Sequence, residues 1–306
     1  MPIPINWLRR FAICCCLTLD YAQATLIDDI QILSAAQMQG RKTGSAGAEL
    51  SRQFIAQRYA QLQLAAFNNG YQQSFSYGFG KRKTGVNMLA YQAGCQYPQH
   101  FITVTAHYDH LGKQGSKIFH GADDNASGIA VLLELAQRLS QTCPAYSYIF
   151  LATDAEENGL YGSKAFVASP PVPLSNIVLN LNLDMLGRPD RRGRLYLTGA
   201  KRYPELTTVL EAEFSQLQFL HHRGPPRMLR DNVRYDWPNA SDHGPFHRAG
   251  IAYLFFGGQD HPHYHTPEDS WQRIDTDFLH MAMSAVWRTV LWIETQPPTA
   301  LQVMPD

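Results

Sequence analysis

The sequence predicts an α/β fold built on a mixed sheet, antiparallel where it begins and parallel in its centre. Three observations carry that expectation. Two strand-like runs near the start are separated only by glycine-rich punctuation, which reads as a hairpin. From residue 101 onward short apolar strands alternate with helical segments, the pattern of parallel strands joined by crossover helices. The chain has 306 residues of which 45% are hydrophobic, enough to enclose a large core.

Taken in order, Leu50, Phe54, Tyr59 and Leu62 recur near helical spacing and predict an amphipathic helix over 46–62, preceded by a Gly44–Gly47 turn. Residues 71–77 and 86–91 read as the hairpin strands, punctuated by Gly78, Gly80 and Gly85. Strands follow at 101–106, 146–152, 177–183, 194–198 and 251–256, with helices at 126–139, 160–168, 205–217 and 276–294. Residues 224–241, with Pro225-Pro226, Trp237 and Pro238, form a polar stretch too long for an ordinary connection and are expected to border a site. The Pro297-Pro298 tail is expected to be loose. No repeat, linker or composition break interrupts 25–296, so residues 25–306 are read as one catalytic domain.

Residues 1–24 read as an export signal: Arg9-Arg10, an apolar run over 11–19, then Ala22-Gln-Ala24 as a cleavage site. The segment is short for a bilayer span, so no stable membrane anchor is expected after cleavage, and the mature protein is placed in the periplasm or outside the cell. Lipidation at Cys14, Cys15 or Cys16 is a lesser alternative, since no small residue precedes any of them. Cleavage leaves Cys95 and Cys143, each just upstream of a hydrophobic strand. If those strands are parallel neighbours the cysteines begin at one edge, and a Cys95–Cys143 disulfide is expected in an oxidising compartment. Lys plus Arg and Asp plus Glu both number 26, giving zero formal charge and no phosphate-neutralising surface, which argues against nucleic acid as a partner.

Five motifs lie at or just beyond the C-terminal ends of expected strands, where open α/β sheets place their sites. In His107-Tyr-Asp109, residues two apart project to one side of an extended chain, so Asp109 is in position to accept from the far nitrogen of His107 and fix its tautomer for a metal. Asp123-Asp124-Asn125 opens a helix; capping explains it alone, but a carboxylate can also join two divalent ions. Glu156-Glu157 follows a strand directly. Adjacent glutamates there are disfavoured without cations, and the pair suggests Glu157 as ligand and Glu156 as a general base. Asp184 ends an apolar strand and needs a cationic partner. His261, His263 and His265 alternate after the last strand, and spacing does not say which would bind.

Jointly, His-x-Asp, Gly121-Ala-Asp-Asp-Asn-Ala-Ser-Gly128, Glu156-Glu-Asn-Gly-Leu-Tyr-Gly-Ser163, Leu183-Asp-Met185 and Tyr264-His-Thr266 resemble the M28 family of di-zinc exopeptidases, many of them secreted bacterial aminopeptidases. Arg41-Lys-Thr-Gly-Ser45 and Ser241-Asp-His-Gly-Pro-Phe246 resemble family segments too. The resemblance implies a three-layer α/β/α zinc-exopeptidase fold and two Zn²⁺ per chain. It assigns His107 and Asp184 to one ion, Glu157 and His265 to the other, and Asp124 to both. Glu156 becomes the base, Asp109 the support of His107, and Tyr264 a stabiliser of the oxyanion. Peptides are the implied substrates, cut at the first peptide bond; a carboxypeptidase or amidohydrolase, or a binding protein on a dead scaffold, are the alternatives. No protease-associated insert is expected, which leaves residues 224–241 with Phe255, Phe256 and Trp237 to line the substrate pocket and favour an apolar first residue.

Overall fold

A computed structural model describes residues 25–67, 70–78, 80, 82–220, 223–226 and 234–302. The expected export segment lies outside the described residues, as do residues 227–233 of the polar stretch. None of the described helices is long and apolar enough to cross a membrane.

The described strands of the main sheet are β1 (Gln72–Tyr77), β2 (Lys83–Gln92), β3 (Tyr97–His107), β4 (Tyr146–Thr153), β5 (Ile177–Asp184), β6 (Leu195–Thr198), β7 (Leu217–Leu220) and β8 (Tyr253–Gly257). Their order across the sheet is β1-β2-β4-β3-β5-β8-β6-β7. The hairpin β1–β2 and the β2–β4 pair are antiparallel, β4, β3, β5 and β8 run parallel to one another, and β6 returns antiparallel to β8. Strand β4 is buried along its whole length, as a central strand covered on both faces must be.

Helices cover both faces. On one lie α1 (Leu26–Leu33), α2 (Ala46–Gln61), α3 (Gly128–Ser140), α5 (Pro204–Glu213) and α7 (Thr276–Ile293). Their apolar residues share a core with Ile102, Val104, Phe150, Leu181 and Phe256 of the sheet. Opposite, α4 (Tyr161–Ala168) and α6 (His243–Arg248) bring Phe166 and Phe246 against Leu89, Ile149 and Leu151. Successive strand residues feed opposite cores because their side chains alternate. Three of the helices start on side-chain caps: Thr25 with Asp28 in a capping box, Ser45 accepting from the Ala48 amide, and Asp275 accepting from the Phe278 amide.

The three-layer mixed-sheet class agrees with the sequence expectation, and four details differ. Helix α1 stands where no element was expected. Helix α3 begins at Gly128, because Asp124 and Asn125 leave helical backbone geometry within the wide turn Ala122–Ser127. The helix expected over 205–217 stops at Glu213, where Phe214 turns extended, and Leu217 and Phe219 bury one side of an added strand. The proline tail is packed: α8 (Pro298–Leu301) buries Leu301, whose carbonyl accepts from the Tyr203 hydroxyl at 2.7 Å.

Because β3 and β4 are parallel neighbours, the segments leading into them meet at one edge. Cys95 and Cys143 are joined there in a disulfide with a Cα separation of 5.8 Å, as the strand argument anticipated.

Candidate metal centre

His107 ends β3, Asp184 ends β5, and Glu156-Glu157 lie three and four residues past the end of β4. Neighbouring parallel strands thus deliver their costly groups to one end of the sheet. Strand β5 carries polar side chains on alternate residues: Asn180 donates to the Thr103 carbonyl and to Thr105 Oγ1, and Thr105 donates to Asn182 Oδ1 at 2.7 Å. Asn182 donates to Ser241 Oγ at 2.9 Å, and Ser241 donates to Asp184 Oδ2 at 2.8 Å. A polar ladder inside the core therefore fixes the Asp184 carboxylate, in a strand the sequence had suggested was otherwise apolar.

Two donor groups result. In the first, His107 Nε2 lies 3.3 Å from both Asp184 Oδ1 and Asp124 Oδ1, with Glu156 alongside. In the second, His265 Nε2 lies 3.1 Å from Asp124 Oδ2 and 3.2 Å from Glu157 Oε2, and His110 Nδ1 lies 2.7 Å from Glu157 Oε1. Asp124 presents one oxygen to each group. Of the three alternating histidines, His265 enters the site and His261 pairs with Asp123 at 3.1 Å. His110 is the residue sequence reading passed over; its signal was a histidine directly after the His-x-Asp motif.

Asp109 plays a different part from the one expected. The His107 Nδ1–H donates to the Asp109 backbone carbonyl at 3.1 Å, while the Asp109 carboxylate stands 3.9 Å away. That carboxylate accepts from the Glu156 amide at 3.0 Å and so anchors the glutamate loop. Either way the His107 tautomer leaves Nε2 facing the carboxylates.

The rest of the Gly121–Gly128 motif ties loops together. Asn125 Nδ2 donates to the Leu183 carbonyl, and its Oδ1 accepts from the Gly128 and Met185 amides, so every contact spans the Asp124 and Asp184 segments or closes the turn. A Cβ at residue 128 would fall against Asn125 Oδ1 and the Leu183 carbonyl, which is why glycine stands there. Asp123 Oδ1 accepts from the Gly187 amide at 2.7 Å, and the Asp269 carboxylate accepts from the Asp123 and Asp124 amides. Beneath them lies the fully buried Arg41. Its guanidinium donates to the carbonyls of Leu33, Tyr108, His120 and Gly121, each at 2.7 Å. Planar, five-donor geometry makes this possible; a lysine could not reach four diverging acceptors.

The electrostatics describe a site rich in carboxylates. Burial, with the Asp184, Asp242 and Glu157 carboxylates nearby, pushes the Glu156 carboxyl well above the usual range against the pull of His107. Burial opposes the ionised form of Asp124 as well, but hydrogen bonds from His107 and His265 outweigh it and hold that carboxyl well below the usual range. For His265, burial disfavours the charged ring, yet the Asp124 and Glu157 carboxylates raise it to about 10. Both rings thus sit between carboxylates, in places a divalent cation can take. Asp124 Oδ2 is buried and faces His265 Nε2 at 3.1 Å without the alignment of a good hydrogen bond, and mixed imidazole and carboxylate donors suit zinc. The donor sets therefore fit zinc.

A cleft opens over the first group. His107, Asp124, Glu156 and Asp184 form its floor, and Met185, Trp237, Phe255 and Tyr264 its walls. Tyr264 stacks on the His265 ring at 3.8 Å. Phe256, expected in the lining, faces the other side of β8 and is fully buried in the main core.

Residues 87–290 match the model of peptidase family M28. The chain belongs to that family. It is 31% identical over 242 residues to aminopeptidase YwaD of Bacillus subtilis, a match covering 76% of this chain and 47% of YwaD, about half the relative's length. It is 27% identical over 272 residues to a glutaminyl-peptide cyclotransferase of Boiga dendrophila, covering 77% of this chain and 72% of that one. Among solved structures it resembles the zinc aminopeptidase BSAP of Bacillus subtilis, with a TM-score of 0.68 at 20% identity over 89% of this chain and 96% of that one. The M28 fold and the two donor groups thus stand together.

Proposed function

We propose that this protein is a zinc-dependent aminopeptidase, hydrolysing the first peptide bond of peptides at a two-ion site. The carrying observation is Asp124, whose two oxygens each face a separate histidine and carboxylate group while Glu156 stands beside the first. His107, Asp184 and Asp124 would hold one ion, and Asp124, Glu157 and His265 the other. Bound there, the ions would supply Lewis acidity toward water and the scissile carbonyl.

Glu156 then has a defined task. Its carboxylate takes a proton from the attacking water and returns it to the leaving amine nitrogen. Tyr264 lines the cleft, and in this reading its hydroxyl donates to the carbonyl oxygen as that oxygen gains charge. Trp237, Phe255 and Met185 line the cleft, and in this reading they favour an apolar first residue. Residues 25–306 act as one catalytic domain in this reading, and the Cys95–Cys143 disulfide supports export to an oxidising compartment.

The test combines metal analysis with a substrate panel of free-amine, N-acetylated and C-terminally reporting peptides. Two zinc ions per chain and release from free-amine peptides alone are expected, with rates highest for apolar first residues. Equal rates on N-acetylated peptides would exclude an aminopeptidase, and a preference for lysine or glutamate would exclude the apolar wall as the selector. Similarity to a cyclotransferase supplies one further arm: peptides beginning with glutamine should release free glutamine rather than cyclise.

A further inference from the structure

We propose that His110 is a positioning residue that clamps Glu157, its Nδ1–H donating to Oε1 so that Oε2 alone is offered to the ion. The inference rests on the reading of Glu157 as a ligand. Donors bound to one tetrahedral zinc at about 2.0 Å lie roughly 3.3 Å apart. Four contacts in the site match that edge: His107 to Asp124 and to Asp184 at 3.3 Å, His265 to Asp124 at 3.1 Å and His265 to Glu157 at 3.2 Å. His110 Nδ1 lies 2.7 Å from Glu157, too short for that edge and the length of a charge-assisted hydrogen bond, and 3.6 Å from Asp124 Oδ2, longer than the edge.

The tautomer argues the same way. His110 Nε2 is buried with no protein partner among the described residues. Were Nδ1 to ligate an ion through its lone pair, the ring proton would move to Nε2 and leave a buried N–H without an acceptor, the rarer and costlier kind of orphan. With the proton on Nδ1, Glu157 gains a donor and Nε2 is left as a bare acceptor. The ring also has a slot made for it. Gly121 has φ +59°, and a Cβ there would come within 2.6 Å of His110 Cγ and Cδ2. Only a residue without a side chain lets the imidazole sit fully buried against the Asp124 turn.

Zinc affinity by chelator competition, together with the Co²⁺ absorption spectrum, tests this on wild type, His110→Ala and His110→Asn. Asparagine places an amide N–H near the position of Nδ1–H but is a poor zinc ligand. The alanine variant should bind one of its two ions about 10–100-fold more weakly and keep the other unchanged. The asparagine variant should bind both as wild type does, with an unaltered Co²⁺ spectrum; if the alanine variant does not fold, this result alone carries the test. Alanine binding both ions as tightly as wild type would overturn the clamp. So would an asparagine variant that loses an ion or shifts the spectrum, which would make His110 itself a ligand. Fewer than two ions on wild-type protein would remove the reading of Glu157, and the clamp with it.

Discussion

The two donor groups share Asp124 yet are built differently. His107 and Asp184 are the last residues of β3 and β5, held by the sheet ladder and by the Asn180–Asn182–Ser241 chain, and the His107 side chain is only 2% exposed. Glu157 and His265 stand on loops, His265 with a positive φ of 55° and a side chain 35% exposed. Strand ends give the first group its rigidity. The second depends on hydrogen bonds between loops, from His110 on one side and the Asp269 and Asp123 contacts on the other. A shared carboxylate can therefore join one site that is fixed by the fold to another that the chain must assemble.

That contrast can be broken first at the catalytic side. Glu156→Gln should retain both metals and lose roughly 10²–10⁴-fold in turnover, read by steady-state kinetics with metal analysis on the same sample. Near-normal turnover would detach the chemistry from the rigid group. The next largest effect concerns release of ions. Chelator titration should remove metal in two steps, the ion of Glu157 and His265 leaving first by on the order of a tenfold difference in affinity. His265→Ala should abolish the first step and spare the second, and one unresolved step in wild type would count against any difference between the groups.

A smaller effect concerns the wall beside the rigid group. His243 Nε2–H donates to the Trp237 carbonyl at 2.6 Å, and Nδ1 faces the Asn182 amide nitrogen at 3.4 Å, an arrangement only the neutral ring satisfies. Burial lowers this histidine to about 3. A depressed value means its contribution to stability is complete above the unfolded value of about 6.5 and is lost as the pH falls towards 3, at about 1.4 kcal/mol per pH unit. Denaturant melts of His243→Gln, which keeps a donor but does not titrate, should show a slope shallower by about one proton across that range. Parallel slopes for the two proteins would assign the acid sensitivity to another group.

Much of this was legible in the sequence because each strand end announces itself: an apolar run stops and a histidine or carboxylate follows. Cys95 and Cys143 were readable for a related reason, since parallel neighbours must start at one edge. What stayed hidden depends on distance across the chain. Nothing local says that Asp109 would turn its carboxylate to the Glu156 amide, that His110 would face Glu157, or that Asp269 would hold the Asp124 turn. Strand β7 was masked by residues that suit a helix, until Phe214 broke the run and burial of Leu217 and Phe219 decided. Helix α1 carried no motif, yet Leu33 at its end supplies a carbonyl to Arg41.

That last contact sets a limit on how far the chain can be trimmed. The Arg41 fork holds the end of α1, the His107 loop and the Gly121 turn with one cation. Proteolysis within α1, remote from the cleft in sequence, would strip one of four acceptors from a fully buried guanidinium. The strain would pass directly to the two segments that carry His107 and Asp124. Helix α1 thus acts as a safety catch on the centre, and a nick there would loosen both donor groups without touching any residue in them.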